Sequence, residues 1–433
     1  MSRTGKVILA LAVVIVLLAG GWWLLRQRST TAPSRPANAT GVPERRLDDP
    51  ALIEQGRYLA ILGDCASCHT RRGGTPYAGG RRLPTPFGDV PAPNLTPDRE
   101  TGLGDWTFED FWRALHWGQG RDGRLLYPVF SYTSFTKVHR DDALALFAYL
   151  KSLPPVRQDN PTPALPFPYN MQASLAAWRS LYFQPGEFVP DPAKSAEWNR
   201  GAYLVEGLGH CNECHAPRDA LGGTAKKPQL SGGQIPAQDW YAPDLSMQAN
   251  GGLAGWSEQD VVDLLKTGHS ARGTAFGPMA EVVTQSTQFA TEADLRAMAT
   301  YLKTLPPRRP SRASAEAGDD AEQVQAGAKI YADRCASCHG KDGQGVAGVY
   351  PPLDGNSAVD EPTGINAIRI VLLGGFAPTT AANPRPYSMP PFAQELDDHD
   401  VAAVVSYIRQ SWSNHAGTVL ERDVAKYRHT PVD

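Results

Sequence analysis

Between Thr70 and Pro155 the chain contains no methionine, and its 433 residues hold only six methionines and six cysteines. No cysteine stands alone. They fall as Cys65/Cys68, Cys211/Cys214 and Cys335/Cys338, so a structural disulfide would dismantle a pair. An excess of one charge is missing too: the formal net charge is −3, and nothing suggests the concentrated basic face that a nucleic-acid partner requires. With 42% apolar and 20% charged residues, the body of the chain has a globular rather than a disordered balance. Glycine (41) and proline (37) are plentiful, which predicts short helices separated by loops.

What is present begins with an uncharged run from Val7 to Leu25. As a helix it would span about 28 Å, close to the hydrocarbon core of a bilayer. Arg3 and Lys6 precede it, Trp22 and Trp23 sit near its far end, and Arg26 and Arg28 follow. Paired tryptophans suit an interfacial anchor. A cleaved signal peptide is the competing reading. The run exceeds the usual apolar core of a signal peptide and no clear cleavage site follows, so retention is favoured. Positive charge at both ends leaves the orientation open. Residues 29–49, rich in Ser, Thr, Pro and Ala, read as a flexible stalk.

Each cysteine pair encloses two residues and is followed at once by a histidine: His69, His215 and His339. Two cysteines one helical turn apart reach both vinyl groups of a haem, and the next residue then lies under the iron. Cys-x-x-Cys-His therefore points to covalent haem c, three times over, with those histidines as iron ligands. Zinc would need two pairs at one metal, but these are over 100 residues apart. A redox dithiol would not need the histidine. In bacteria this attachment occurs outside the cytoplasmic membrane, so the haem-bearing part is expected in the periplasm.

The chain repeats around these motifs. Each unit opens on a helical pattern holding one glycine, namely Gly56, Gly201 or Gly327, placed eight to ten residues before the cysteines. Glycine inside a helix costs about 1 kcal/mol against alanine, so close approach of a second helix is expected there. A closing helix contains Tyr149, Tyr301 or Tyr407, and Pro154-Pro155 and Pro306-Pro307 stop the first two. Units one and two share Gly-Leu-x-x-Trp-[Thr/Ser]-x-x-Asp, a helix-cap signature, ahead of helices ending at Gly118 and Gly268. The reading is all-α: three tandem class I-like cytochrome c domains after an N-terminal transmembrane helix. The boundaries are 1–28 anchor, 29–49 stalk, 50–158 domain 1, 159–194 connector, 195–307 domain 2, 308–320 linker and 321–433 domain 3 with a C-terminal tail.

Proline follows each motif in a similar setting, at Pro93, Pro243 and Pro351-Pro352, where its carbonyl can take the ligand histidine's Nδ1 proton. Sixth iron ligands are assigned to Met279, in Gly-Pro-Met, and Met389, in Ser-Met-Pro-Pro. Met298 reads as core and Met247 as lying on the wrong side of the haem. Unit one offers no equivalent methionine: the matching place falls near Val129-Phe130. Met171 in the connector, His116, His139 and an open iron all stand as alternatives. His116 is expected on an exposed face, and His139 at a helix-cap position, capping or exposed.

The order of these pieces resembles the tri-haem cytochrome c subunit of membrane-bound periplasmic dehydrogenases. The resemblance rests on the segments from Arg200 to Cys211, Gly277 to Val283, Tyr387 to Phe392 and Ile408-Arg409-Gln410-Ser411-Trp412, and covers about residues 50–425. It implies a subunit with no catalytic residues of its own. Electrons would come from a molybdenum-, PQQ- or flavin-dependent dehydrogenase acting on an alcohol, sugar acid or aldehyde. They would pass to ubiquinone in the bacterial inner membrane. The uncleaved-looking anchor tilts the comparison toward a molybdenum-type aldehyde dehydrogenase. Two other classes compete: a haem subunit of a terminal oxidase, and a peroxidase-like enzyme using the haem of domain 1.

Overall fold

The computed structural model describes residues 20–21, 47–224, 229–249, 251–307 and 321–430. The expected anchor (apart from Gly20 and Gly21), most of the stalk and the 308–320 linker lie outside the described residues. Among the described residues no helix is long and apolar enough to cross a membrane.

In chain order the main helices are α1 (Pro50–Leu62), α2 (Phe108–Trp117), α3 (Arg140–Ser152), α4 (Gln172–Tyr182) and α5 (Ala196–Tyr203). They continue with α6 (Glu258–Thr267), α7 (Pro278–Gln285), α8 (Glu292–Leu302), α9 (Ala321–Arg334), α10 (Ile365–Leu373), α11 (Asp398–Gln410) and α12 (Glu421–Tyr427). A π-helical turn over Leu204–Leu208 extends α5. The all-α expectation needs one amendment. Four two-stranded antiparallel ladders occur among the described residues, one of them pairing Ser231–Ile235 with Trp240–Asp244.

Three helix pairs carry the architecture: α1 with α3, α5 with α8, and α9 with α11. The lone glycines make these crossings possible. A Cβ on Gly56 would stand 1.8 Å from the Ala145 carbonyl oxygen, one on Gly201 1.8 Å from that of Ala297, and one on Gly327 2.0 Å from that of Ala403. The shared cap signature forms as read. Thr107 and Asp110 close a capping box on α2, Ser257 and Asp260 close one on α6, and Gly118 and Gly268 end these helices at φ 55° and 80°.

The first two units do not keep separate interiors: one buried apolar cluster runs through both, while the third has its own. Their contact is reciprocal. Tyr58 of α1 donates to Asp294 of α8 at 2.7 Å, and Tyr203 of α5 donates to Asp142 of α3 at 2.5 Å. Asp294 also receives Arg200 through two bonds of 2.8 Å. Lys137 and Tyr301 converge on Glu206 across the same seam.

The third unit joins the second through Asn366, whose side chain bonds both backbone groups of Tyr241, and through Arg369 stacked 4.5 Å over Trp240. The tail forms a helix, α12, packed against this unit. His399 of α11 meets Glu421 of α12 at 2.7 Å, and that hydrogen bond, helped by the carboxylate's charge, raises the imidazole pKa. A raised histidine stabilises below its ordinary value of 6.5, and the contribution is lost as pH climbs through the raised one. Both side chains are exposed, so the effect is small. With the base-catalysed rise in intrinsic exchange divided out, the protection factors of the α12 amides should fall modestly from pH 6 to pH 8, and a Glu421→Gln variant should lose that difference.

Candidate haem centres

In all three motifs the histidine ring is held the same way. His69 donates from Nδ1 to the Pro93 carbonyl at 2.8 Å, His215 to that of Pro243 at 2.7 Å and His339 to that of Pro351 at 3.0 Å. A carbonyl only accepts, so the proton sits on Nδ1 and the Nε2 lone pair is left for a metal. Burial lowers all three imidazole pKa values, with the proline carbonyls pulling the other way, so the rings are neutral as ligation demands. Pro351, not Pro352, is the acceptor in the third unit.

None of the six cysteines forms a disulfide. Burial pushes Cys65 and Cys211 up to about 12 and Cys214 and Cys335 to about 11. Cys68 keeps solvent-exposed surface, yet crowding around its sulfur still raises it to about 12, with Asp64 and, more weakly, Cys214 adding to the rise. Paired cysteines one turn apart, beside a ring with a free Nε2, fit thioether attachment of haem c. A structural zinc site is not formed by them, since no three His, Cys, Asp or Glu side chains gather as a metal-binding group among the described residues.

The first and second motifs lie side by side. Asp64 and His210, each just before a first cysteine, both adopt φ above zero, at 49° and 39°. His210 Nε2 reaches the Gly63 carbonyl at 3.3 Å, and its ring meets Phe135 edge-on at 5.4 Å. Arg81, which also bonds the Ser67 carbonyl, pairs with Glu281 of α7 in the second unit.

Met279 opens the first turn of α7, after Gly277 at φ 52°. A Cβ on Gly277 would come within 2.9 Å of the Trp240 ring, which packs on Phe276 at 5.5 Å. Trp240 lies on the strand Trp240–Asp244 that also holds Pro243, so one strand braces both the His215 acceptor and the Met279 loop. Met389 lies on a strand paired with Gly375–Phe376 and packs, with Cys335, on the third core. Met298 is buried in α8, as read.

The first unit's histidines are placed differently from expectation. His116 is not exposed: only 7% of its surface is accessible, its ring stacks on Trp112 at 4.5 Å, and its Nδ1 is buried with no hydrogen-bond partner. The helical register hid this, because the burying partner, the loop before α3, is distant in sequence. His139 does occupy the N-cap of α3 but does not cap it. Its Nε2 meets the Phe188 carbonyl at 3.0 Å and its ring stacks on Tyr203 at 4.7 Å. Met171 precedes α4, a connector helix with no forewarning in the sequence reading, and is 42% exposed.

One set of supporting residues escaped that reading. Two positions after each closing-helix tyrosine stands a cation, Lys151, Lys303 or Arg409. Lys151 donates to the Leu103 and Gly104 carbonyls, Lys303 to Leu253 and Trp256, and Arg409 to Val359 and Glu361. Each ties the closing helix to the loop that follows its proline. The repeated Tyr-[Leu/Ile]-[Lys/Arg] triplet was the available signal.

The comparisons agree with this geometry. The family model described as cytochrome c matches residues 53–154, 199–306 and 324–412, one segment per motif. The cytochrome c subunit of alcohol dehydrogenase (quinone) from Gluconobacter oxydans is 39% identical over 406 residues, covering 88% of this chain and 83% of that protein. The gluconate 2-dehydrogenase cytochrome c subunit of Pantoea cypripedii is 38% identical, covering 87% and 90%. The fructose dehydrogenase cytochrome subunit of Gluconobacter japonicus is 35% identical over 405 residues, covering 87% and 82%.

Proposed function

The chain belongs to the cytochrome c family, and from that premise we propose that it is the electron-transfer subunit of a periplasmic dehydrogenase, carrying three covalent haems c. The observation that carries the reading is the threefold Cys-x-x-Cys-His with each histidine aimed by a proline carbonyl. Bound haem supplies a one-electron iron centre. The chain's residues attach it through Cys65/Cys68, Cys211/Cys214 and Cys335/Cys338 and ligate it through His69, His215 and His339. Met279 and Met389 complete the second and third sites, raising their potentials and closing them to other ligands. The three matched segments support three tandem domains, 50–158, 195–307 and 321–433.

Relatives named as dehydrogenase cytochrome subunits support a dehydrogenase donor over a terminal oxidase. The word quinone in the alcohol dehydrogenase name supports membrane ubiquinone as acceptor. Residues 1–28 would anchor the protein in the inner membrane with its haem domains in the periplasm. The donor's cofactor is molybdenum, PQQ or flavin.

The test is purification of the native complex in mild detergent, with mass spectrometry of co-purifying chains and reduction of the haems by candidate alcohols, sugar acids and aldehydes. A stoichiometric dehydrogenase whose substrate reduces the haems is the expected result. A cytochrome that emerges alone, or with oxidase subunits, and stays oxidised under every substrate sinks the proposal. Replacing Cys335 and Cys338 together by alanine should lower the haem count from three to two per chain by the pyridine haemochromogen assay.

A further inference from the structure

The second unit provides a ruler for the first. In both, the helix after the Gly-Leu-x-x-Trp loop ends on a glycine whose carbonyl accepts a later amide: Leu126 donates to Gly118, and Ala275 donates to Gly268, each at 2.8 Å. Four residues after Ala275 stands Met279. Four residues after Leu126 stands Phe130. Phe130 is partly buried against the shared core and tilts on Phe135 at 5.5 Å, an apolar ring with no donor atom.

No other side chain of the first unit takes over. His116 occupies the place of Lys266, at the end of the helix rather than in the loop that holds Met279. Lys266 donates to the Gln288 and Ala290 carbonyls, whereas the His116 ring lies flat on Trp112 at 4.5 Å and edge-on to Trp117 at 5.2 Å, packed on the indoles of its own helix. His139 is spent on Phe188 and Tyr203. Met171 lies outside the 118–130 loop, where the neighbouring Gln172 side chain laces both backbone groups of Leu125, at 2.7 Å and 3.2 Å.

We propose that the first haem centre has no side-chain sixth ligand, and that the position behind Phe130 is a binding site for a small uncharged diatomic ligand. This rests on the haem reading above, with Met279 ligating the second iron. A neutral π-accepting diatomic suits the place, because Phe130 and Phe135 offer it no hydrogen bond and an anion would go unsolvated there. His69 holds the other axial position, as in gas-binding haem proteins with a proximal histidine.

Carbon monoxide is the probe, added to the dithionite-reduced full-length protein in detergent. The expected uptake is one molecule per three haems, with a high-spin signal from one haem before addition. Phe130→Met should abolish that uptake and add a methionine–iron charge-transfer band to the oxidised spectrum. Met171→Leu and His116→Gln should leave both uptake and spectrum unchanged. A chain with three haems and no uptake, or one whose uptake or ligand-field bands respond to Met171→Leu or His116→Gln, overturns the inference and leaves the electron-transfer reading standing. The haem count is taken on the same sample, and fewer than three haems overturns both. Uptake at two or more haems that Phe130→Met does not reduce also overturns it.

Discussion

Gly201→Ala should destabilise the protein by about 3 kcal/mol, the upper end of what overpacking a core costs. Two effects oppose each other. Alanine gains roughly 1 kcal/mol over glycine in a helix interior. Against that, the new methyl would stand 1.8 Å from the Ala297 carbonyl oxygen, 2.5 Å from its carbon and 2.9 Å from the Tyr301 Cβ. Those atoms belong to the body of α8. They retreat only if the helix does, and α8 carries Leu295, Met298, Ala299 and Leu302 into the core. Displacing it also strains the Arg200–Asp294 pair inside the second unit and the Tyr58–Asp294 bond that joins it to the first. The clash therefore wins. At about 2–4 °C per kcal/mol for a body the size of the first two units, which share one core, the midpoint should fall by roughly 10 °C in a thermal scan followed by far-ultraviolet circular dichroism. Gly255→Ala, where nothing lies within 4 Å, is the control. If both variants melt together, the helix crossing does not depend on the glycine and the account of the repeat is wrong.

Gly56 and Gly327 were legible for the same reason Gly201 was. An interior helical glycine is unfavourable unless something presses on it, and the reason travels with the local pattern. The cysteine motifs, the capping boxes, the proline acceptors and the closing helices were legible likewise, because each is decided within a few residues. What escaped was decided at a distance. Tyr58 meets Asp294 across 236 positions, and no periodicity of α1 announces that a tyrosine on its outer face will be covered by another unit. The merged core of the first two units follows from that packing, and the burial of His116 from a loop that folds back within the first unit. Comparing the repeats was more informative than reading any one of them. It exposes the cation after each closing tyrosine and places Phe130 opposite Met279. Such comparison works because equivalent backbone bonds recur even where side chains have diverged.

Arg409→Leu should cost about 3–5 kcal/mol at neutral pH, and the cost should shrink in acid. Arg409 is 1% exposed and lies beside Glu361, which is 2% exposed. Its guanidinium donates to the carbonyls of Val359, Glu361 and Gly417 at 2.7, 2.8 and 2.9 Å, tying α11 to the loop before α10 and to the tail. Leucine fills much of the volume but leaves those buried carbonyls without donors and removes the positive charge that offsets the burial of the Glu361 carboxyl, losses that together reach this range. The pH dependence comes from Glu361. Burial already raises its pKa, partly offset by the Arg409 charge and by bonds from Thr363 and Asn366. Without Arg409 the offset weakens and the folded pKa rises further above the ordinary 4.5. A carboxyl raised in the folded state favours folding only while protonated. Its penalty is therefore absent below that ordinary value and grows as pH climbs through the raised one. The orphaned carbonyls do not titrate, so part of the loss persists in acid. Hydrogen exchange of the α11 amides at pH 5 and pH 8 separates the two contributions. A loss equal at both pH values would show that Glu361 is insensitive to Arg409 and that the arginine acts through its carbonyl bonds alone.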